Sequence, residues 1–525
     1  MIKIEVILPL KYKADDVFSA VRERIPVERS EILEYRILKR TLDLSEKPNI
    51  QYKVTLALSL STEREHGLLK MRKTVTEYSL PTFDLPTSTL SSRPVVVGAG
   101  PAGLFAALAL AEAGARPILL ERGHSLEMRD KKVKLFSSIG VLDTECNVQF
   151  GEGGAGTYSD GKLKVGGMDK YKYKILTEFI SAGADEDILF STSAHVGTDK
   201  LTGVIKRLRE KMISLGAEVY FDAKVVDLQI KDCKITGCIA EINGERQIFE
   251  TENIVFATGH SARDSFEILL RSGAALTPRG FGIGLRIEHP REYINSLVYG
   301  NSYPDDIETA SYHLVTHLKN GRSVYSFCMC PGGSVVAAAS ESCGIVTNGM
   351  SEHARMAENS NAALLVSVTP SDFESDSPLS GIDLQRKIER AAFRAAGGSY
   401  KAPSQSLLEL TENRKMEGKS SVSPSYPIGT EHILTSEYLP DFVSDSLRGA
   451  ISDFDAWLPG YNYPEAALTG PETRTTSPVR VLRTDSFEAL GISGLYPTGE
   501  GAGYAGGIVS SARDGLMVAE AILKK

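Results

Sequence analysis

Residues 93–123 constrain the fold more than any other part of this sequence. An apolar run at 95–97 leads directly into a glycine-rich turn, and a helical pattern follows to about Gly114. A second apolar run at 117–120 then ends in Glu121. Strand, glycine-rich turn, helix, second strand and acidic residue, in this order, are typical of a βαβ unit that binds a dinucleotide.

The residues of the turn have distinct physical roles in such a unit. Gly98 permits the tight turn after the strand, and Gly100 lets a pyrophosphate approach the backbone. Gly103 lets the helix pack closely against the strand. Pro101 suits the first helical turn, where no amide hydrogen is needed, and Ala102 follows it. We therefore predict a cofactor site at the helix N-terminus, where free N–H groups carry a partial positive charge.

Glu121 supplies the acidic residue that completes the unit. Its carboxylate is expected to accept hydrogen bonds from the hydroxyls of the adenosine ribose. A negative charge at this position disfavours a ligand that carries a 2′-phosphate on that ribose.

Length, charge and cysteine content exclude several other classes of protein. A chain of 525 residues is too long for one hydrophobic core, so two or three domains are expected. Its net charge of −8 argues against general nucleic-acid binding, since neutralising phosphates needs a basic face. No apolar run reaches membrane-spanning length, and no signal-peptide pattern is present. Six cysteines in such a chain form no disulfide framework, which predicts a cytoplasmic protein, and no metal site is predicted.

The first 62 residues are predicted to form a small α/β module. Its expected elements are strands at 3–10, 32–42 and 50–60 and an amphipathic helix at 15–25. This order fits a ferredoxin-like module, without an iron–sulfur site because the segment contains no cysteine. Residues 63–92, with their charged, Ser, Thr and Pro content, are predicted to be a linker.

The dinucleotide-binding domain is predicted to consist of two separated segments. Residues 93–273 form its first part, and residues 484–525, which end in an amphipathic helix, form its last part. Between them, 274–483 show short strands, helices and long polar loops, which predicts an inserted mixed α+β substrate domain. The expected fold class is α/β, with a Rossmann-like domain as its centre.

A second glycine-rich segment lies at 148–162. Five glycines fall within eleven residues there, Gly154 and Gly156 among them. Such a backbone is expected to wind close to a ligand, which predicts a second contact with the cofactor. A loop that contacts only itself is the alternative.

Three stretches together resemble the flavoprotein superfamily of the glutathione-reductase type. They are the glycine-rich turn closed by Glu121, the strand end at 257–259, and the segment 495–507 before the last helix. The motifs QFGEGGAGTYSDGKL, ATGHSARD, GFGIGLRIEHP, FCMCPGG and ETRTTSPVR resemble more closely a family of poorly characterised FAD-dependent dehydrogenases. This resemblance covers nearly the whole chain. It implies that the Rossmann-like domain binds FAD.

The resemblance also implies roles for individual residues. Gly98, Gly100 and Gly103 would surround the pyrophosphate, and Glu121 would bind the adenosine ribose. The other implied contacts are those of Arg122 and Arg129 with the adenosine and phosphates, the Val225 backbone with adenine, Thr258 and Gly259 with the adenine side, Glu500 with the ribitol, and Gly506, Gly507 and Ile508 with flavin N1 and O2. Glu500 departs from the superfamily, which usually has Asp at this position.

The candidate catalytic residues are Cys328, Cys330, His260 and Arg263. Cys328 and Cys330 stand one residue apart, so they form either a strained redox pair near the flavin or two buried thiols. His260 and Arg263 are interpreted either as an acid and an anion clamp or as residues that fix the domain connection.

Three further groups of residues carry open alternatives. Arg286, Glu288 and His289 are the charged part of a family motif, with a functional or a structural role. The cluster of Glu472, Arg474, Thr475, Thr476 and Arg480 is predicted either to clamp a carboxylate or to form interdomain salt bridges. Cys233 and Cys238 have the spacing of a disulfide reductase, but they lie in a predicted hairpin and are interpreted as structural.

The sequence thus predicts an FAD-dependent oxidoreductase that transfers a hydride or an electron pair between flavin and an unidentified small molecule. Only one dinucleotide fingerprint is visible, so NAD(P)H is expected, if at all, as a transient electron donor. The alternative is a flavin-binding redox sensor, or a regulatory or RNA-modification-associated protein. The sequence leaves the oligomeric state open.

Overall fold

The N-terminal residues form a four-stranded antiparallel sheet with two helices. The computed structural model describes residues 1–163, 167–305, 307–416 and 420–525. The elements of this first module are β1 (Ile2–Pro9), α1 (Ala14–Arg24), β2 (Glu34–Asp43), β3 (Gln51–Ser59), α2 (Thr62–Met71) and β4 (Thr76–Glu77). The strand order β2-β3-β1-β4 with this connectivity is that of a ferredoxin-like module, as the sequence predicted.

The module extends further along the chain than the sequence pattern indicated. Helix α2 and strand β4 lie in residues that were predicted to be linker. Ser61 caps α2 by accepting a hydrogen bond from the Arg64 N–H, but Leu68 is the one buried side chain of the helix. A helix with so small an apolar face shows no clear periodicity, and the two-residue β4 shows none.

The second part of the chain contains strands β5, β6, β7 and β11 of the parallel sheet and helices α3 to α7. Its elements are β5 (Val95–Val97), α3 (Pro101–Glu112), β6 (Ile118–Leu120), α4 (Leu126–Ile139), α5 (Lys170–Ser181), α6 (Thr198–Ser214), β7 (Glu218–Tyr220), β8 (Ala223–Lys231), β9 (Lys234–Ile242), β10 (Glu245–Glu250), β11 (Ile254–Phe256) and α7 (Arg263–Arg271). Strands β8, β9 and β10 form a separate antiparallel meander.

The inserted domain follows, and the chain then returns to the first sheet. The inserted elements are β12 (Leu276–Pro278), β13 (Phe281–Pro290), α8 (Arg291–Tyr299), β14 (Val315–His317), β15 (Ser323–Cys330), β16 (Ser334–Ala337), β17 (Thr347–Met350), β18 (Asn359–Val368), α9 (Ser380–Ala395), β19 (Ala402–Ser406), α10 (Leu407–Glu412), β20 (Thr430–His432), α11 (Asp441–Trp457), β21 (Ala467–Glu472) and β22 (Val479–Val481). The final elements are β23 (Leu495–Pro497) and α12 (Ile508–Leu523).

Two sheets dominate the molecule. The parallel sheet has the order β23-β11-β5-β6-β7, so the last strand of the chain pairs with β11 at its edge. The inserted domain is built on a mixed sheet with the order β14-β15-β18-β13-β21-β19-β20. The antiparallel pair of β12 and β22 connects the two where the chain leaves and re-enters the first domain. This is the predicted α/β architecture, with a Rossmann-like domain and an inserted α+β domain.

Close packing of α12 on α3 positions the end of the chain beside the glycine-rich turn. A Cβ at Gly515 would lie 2.1 Å from the Ala102 carbonyl oxygen, so the two helices touch through their backbones at that point. Both helices are largely buried, with Phe105 and Leu516 in one shared hydrophobic cluster. None of the described helices combines the length and the apolar character that a membrane crossing requires.

Candidate functional site

A cavity of about 420 Å³ lies at the carboxyl ends of the parallel strands and continues under the inserted sheet. Ligands of open α/β sheets bind at this edge. The predicted cofactor residues that line the cavity are Gly98, Gly100, Pro101, Ala102, Glu121, Arg122, Gly154, Gly156, Val225, Thr258, Gly259, Glu500, Gly506, Gly507 and Ile508. Gly103 and Arg129 lie behind its wall. Of the catalytic candidates, Cys328 and His260 line the cavity.

The three glycines of the turn differ in what requires them. Gly98 has a φ of +99°, and a Cβ there would lie 2.4 Å from the Ala257 carbonyl oxygen. A Cβ at Gly103 would lie 1.8 Å from the Gly98 carbonyl oxygen. Gly100 has no such neighbour, because its Cβ would lie no closer than 3.8 Å to another part of the chain. The fold therefore requires Gly98 and Gly103, whereas the space beside Gly100 is left for a ligand.

The Glu121 carboxylate ties three backbone segments together. Its Oε2 accepts the Ala99 N–H at 2.7 Å, and its Oε1 accepts the N–H groups of Gly123 and Gly151 at 2.9 Å each. A carboxylate has about four acceptor positions, so Oε2 retains one for a ligand hydroxyl. Glu121 thus shapes the protein around the cavity as well as facing into it, a second role that sequence reasoning did not anticipate.

Arg129 lies outside the cavity, which corrects the expectation that it approaches the phosphates. It is fully buried, and its guanidinium donates hydrogen bonds to the carbonyls of Asn147, Val148, Gly151 and Glu152. These bonds use the donors that a phosphate would need. Arg129 therefore holds the second glycine-rich segment, which in turn places Gly154 and Gly156 on the cavity wall.

Arg122 lines the cavity with its charge already neutralised. Two of its nitrogens donate to the Asp264 carboxylate at 2.8 and 2.9 Å, and Glu145 accepts a third hydrogen bond at 2.8 Å. Arg122 and Lys224 lower the pKa of Asp264 to about 2 against the effect of burial. Arg122 lines the cavity together with Val225 and Glu121, but its ion pairs leave the guanidinium few donors for a ligand.

The opposite end of the cavity is formed by the start of α12. Gly507 has an extended backbone with a φ of 167°, and a Cβ there would come no closer than 3.9 Å to the Ser510 Oγ. A Cβ at Gly506 would meet no protein atom within 4 Å. The protein itself therefore has no steric need for glycine at these two positions. Nearby, burial raises the pKa of Glu500 to about 7.

Cys328 reaches the cavity from a bulge in the inserted sheet. The register between β15 and β18 shifts between Phe327 and Cys330, and Cys328 has a φ of +40°. A positive φ is uncommon for a residue with a Cβ, and such backbone strain is concentrated at functional sites. Cys330 is buried outside the cavity, with its thiol 3.3 Å from the Cys328 carbonyl oxygen.

Two cations bind backbone carbonyls at Cys328 and Met329. Lys162 donates a hydrogen bond to the Met329 carbonyl, and the Arg286 guanidinium donates to the Cys328 carbonyl at 2.8 Å. A hydrogen bond from Cys330 and the charges of Lys162 and Arg286 hold the pKa of Cys328 well below its usual value. Burial and the neighbouring Cys328 raise the pKa of Cys330 well above it. The pair therefore favours a thiolate at Cys328 and a neutral thiol at Cys330.

Arg286 is paired with Glu472, so two charged groups noted in the sequence meet in the structure. The Arg286 Nη2 donates to the Glu472 Oε1 at 2.9 Å and to the Asn348 Oδ1 at 2.8 Å. Glu472 lines the cavity. Burial raises its pKa to about 7, although Arg286 acts in the opposite direction.

His260 and Arg263 belong to the connection between the domains. Arg263 is buried and donates two hydrogen bonds to Glu389 on α9, at 2.8 and 3.0 Å. Arg474 donates two more to the same carboxylate. Arg263 is thus committed to a protein carboxylate and is not free to clamp an anion. Burial, Arg474 and Arg263 lower the pKa of His260 to about 3, so its imidazole is neutral and not a cationic acid.

Several cavity residues were not predicted as site residues. The structure adds Lys162, Asp160, Gln149, Phe327, Asn348 and Ser510 to the lining. Lys162 and Asp160 stand in the second glycine-rich segment, so their place in the sequence was an available signal. Phe327 and Asn348 reach the cavity only through the pairing of the inserted strands, which no local pattern reports.

Two family models match separate parts of the chain. Residues 93–144 match the model of an FAD binding domain, and residues 280–475 match that of the FAD-dependent protein, C-terminal domain-like family. A protein of Clostridium beijerinckii (strain ATCC 51743 / NCIMB 8052), described as uncharacterized, is 44% identical over 510 residues, which are 96% of this chain and 95% of that protein. The chain belongs to this family of FAD-dependent proteins.

The TM-scores between this chain and solved structures are low. A reductase-like protein of Thermoplasma acidophilum, named for geranylgeranyl bacteriochlorophyll, has a TM-score of 0.37 at 11% identity, covering 84% of this chain and 79% of that one. A 3-ketosteroid dehydrogenase of Rhodococcus jostii RHA1 has a TM-score of 0.33 at 15% identity, covering 83% and 98%. Scores of this size establish no shared reaction, so the cofactor assignment stands on the family matches.

The cavity of this family member fits FAD. Gly100, Gly506 and Gly507 leave open space that the packing of the protein does not require. The N-terminus of α3, with Pro101 at its first position, turns free N–H groups toward that space. Glu121 retains an acceptor for a ribose hydroxyl.

Proposed function

We propose that this FAD-dependent oxidoreductase moves a hydride or an electron pair between flavin and a small-molecule substrate at the interface of its two large domains. The observation that carries the proposal is the continuous cavity from Gly98 to Cys328 and Glu472 of the inserted domain. A substrate enclosed there meets polar groups of the inserted domain while the cofactor is held by the first domain.

In this proposal the first domain holds the adenosine diphosphate half of FAD. The turn at Gly98 and Gly100 and the start of α3 face the pyrophosphate, and the Glu121 carboxylate faces the ribose. Gly103 lies behind the turn and lets α3 pack against it. The further proposed contacts of this half are Pro101, Ala102, Arg122, Gly154, Gly156, Val225, Thr258 and Gly259. Their support is that all of them line the cavity.

The flavin half extends toward the start of α12. Glu500 is proposed to bind the ribitol, and Gly506, Gly507 and Ile508 to face N1 and O2 of the ring. The helix N-terminus provides positive partial charge there, which favours an anionic group. FAD bound in this position supplies the redox chemistry of flavin N5.

Side chains at the end of the cavity near the inserted domain supply charge and a proton acceptor. A hydrogen bond from Cys330 and the charges of Lys162 and Arg286 lower the pKa of Cys328, which favours its thiolate at the cavity wall. Glu472, with a pKa raised to about 7, exchanges a proton near neutral pH. When a substrate loses a hydride from carbon and a proton from oxygen or nitrogen, Glu472 is proposed to accept that proton at a carboxylate oxygen.

NAD(P)H is proposed as a transient electron donor. The sequence contains one dinucleotide fingerprint, and its residues are the ones proposed to bind FAD. A nicotinamide would therefore bind directly above the flavin, without a domain of its own.

Anaerobic stopped-flow reduction of the FAD-loaded protein tests the proposal. NADH, NADPH and a panel of small organic donors are mixed with it, and the flavin absorbance is followed. We expect one class of donor to bleach the flavin with a rate constant in the range of ordinary enzyme turnover, roughly 1–1000 per second. A flavin that is reduced by dithionite but by none of the donors would contradict an oxidoreductase role and favour the sensor alternative.

Matched cysteine variants test the proposed part of Cys328. Cys328→Ser should change the rate of flavin reduction or reoxidation while FAD remains bound. Cys233→Ser is the control, because Cys233 is exposed in the turn between β8 and β9 and does not line the cavity. Equal kinetics in both variants and the wild type would assign Cys328 to the structure alone.

A further inference from the structure

A second cavity adjoins the flavin end of the first. Its volume is about 390 Å³, and Phe327, Thr475, Gly506 and Ser510 line both cavities. Its other walls include two arginines, Arg279 and Arg480, together with Tyr325 and Tyr504. It opens beside the residues proposed to face flavin N1 and O2, so a molecule that filled it would reach the flavin.

The two arginines differ from the other arginines around the flavin end. Arg286 and Arg474 each form an ion pair with a buried glutamate. In the described parts of the chain, Arg279 and Arg480 form no ion pair. The Arg279 guanidinium donates to the Thr476 hydroxyl at 3.1 Å, and the Arg480 guanidinium donates to the Gly503 carbonyl at 3.0 Å. Both partners are neutral, so neither guanidinium is hydrogen-bonded to a carboxylate there.

The protein holds these cations at an energetic cost. Burial and the charge of Arg480 lower the pKa of Arg279, and Glu500 offsets this only in part. The Arg480 Nε is buried without a hydrogen-bond partner, and its guanidinium carbon lies 5.0 Å from the centre of the Tyr504 ring.

We propose that this second cavity binds the anionic oxygen group, a carboxylate or a phosphate, of the substrate or electron donor. Arg279 and Arg480 both line one space, where an anion would separate their like charges and accept N–H groups from both guanidiniums. The planar guanidinium suits both carboxylate and phosphate oxygens. The rest of the molecule then passes Phe327 and Gly506 to the flavin. This inference rests on the proposed oxidoreductase function and narrows its substrate to small anions.

Calorimetric titration of oxidised, FAD-loaded protein tests the site without any turnover. Succinate and inorganic phosphate are the two probes, and succinamide is the neutral analogue. We expect saturable binding of at least one anion and none of succinamide. Binding of succinate alone identifies a carboxylate site, binding of phosphate alone a phosphate site, and binding of both an unselective anion site.

Arginine variants assign the binding to this cavity. Arg279→Gln and Arg480→Gln should each raise the dissociation constant about tenfold or more, the effect of losing one charge-assisted hydrogen bond. Arg480→Lys keeps the charge and should have the smaller effect of the two substitutions at that position. Arg246→Gln is the control for net charge, because Arg246 is exposed on β10, away from both cavities.

Three results would overturn the inference. The first is the absence of saturable anion binding, and the second is equal anion affinity in the wild type and both glutamine variants. The third is loss of FAD from those variants while the melting temperature of the FAD-free protein is unchanged. The last result would assign the arginines to the cofactor. Because the titration needs no reductant, anion binding to a protein whose flavin no donor reduces would disprove the proposed function and leave the anion site standing.

Discussion

Replacing Gly100 by alanine separates cofactor binding from folding. Gly100 is the N-cap of α3 with φ −76° and ψ −180°, a conformation that alanine adopts without strain. The added Cβ would stand 3.8 Å from the Gly154 Cα, an ordinary van der Waals distance. It points into the space proposed for the pyrophosphate.

The two expected effects differ in size. The substitution should raise the free energy of unfolding by about 0.4–1 kcal/mol, because alanine restricts the unfolded chain. It should lower the same free energy by about 0.5–1 kcal/mol, because alanine is a poorer N-cap than glycine. The free energy of unfolding without FAD should therefore stay nearly constant. In the complex, displacing the pyrophosphate from one N–H group costs about 1.5–3 kcal/mol, which raises the dissociation constant of FAD roughly 10- to 150-fold.

The assay is urea unfolding of the FAD-free protein beside fluorescence titration with FAD. Gly103→Ala is the matched control, because its Cβ would lie 1.8 Å from the Gly98 carbonyl oxygen and should destabilise the protein itself. Wild-type FAD affinity in Gly100→Ala would refute the placement of the pyrophosphate at this turn. Equal losses of stability in the two variants would refute the distinction between a fold glycine and a ligand glycine.

Three other predictions concern the start of α12, the Cys328 thiol and the buried Glu389. Gly507→Ala should lower the flavin midpoint potential in a spectral redox titration by about 20 mV, the equivalent of about 1 kcal/mol from the end of α12; an unchanged or higher potential with FAD bound would place the helix end away from the ring. The alkylation rate of Cys328 should rise through a midpoint below pH 9.0, and Lys162→Met should move that midpoint upward, since the lysine charge favours the thiolate. Glu389→Gln should lower the free energy of unfolding by about 3–5 kcal/mol in urea titrations, because buried Arg474 loses its counter-charge and Arg263 keeps only Glu341.

The local patterns predicted the parts of the fold that depend on neighbours in sequence. The alternating apolar residues of β1 bury every second side chain, as the pattern indicated. The order of strand, glycine-rich turn, helix and second strand appears as predicted in β5, α3 and β6. Helix α2 was missed because the one side chain it buries, Leu68, leaves no amphipathic face to recognise.

Within the candidate site too, some roles follow from neighbours in the sequence and others from distant residues. The spacing of Gly98, Gly103 and Glu121 predicted a dinucleotide unit, since a βαβ turn imposes its own steric demands on adjacent residues. The contacts of the arginines depend instead on distant partners. Arg129 binds backbone carbonyls, although the family resemblance implied a contact with the adenosine and phosphates. Arg263 binds Glu389, which agrees with the domain-connection alternative that the sequence left open beside an anion clamp.

The sequence by itself determined the cofactor-binding unit, the inserted domain and the class of cofactor, because these follow from local spacing and from motifs that run along the chain. Only the tertiary structure decided which charges remain available. Glu472 neutralises Arg286 across 186 positions of sequence, whereas Arg279 and Arg480, beside the β12–β22 pair, form no ion pair with the residues that the structure describes. The charge balance of a site is a sum over groups from many strands, and no stretch of sequence contains that sum.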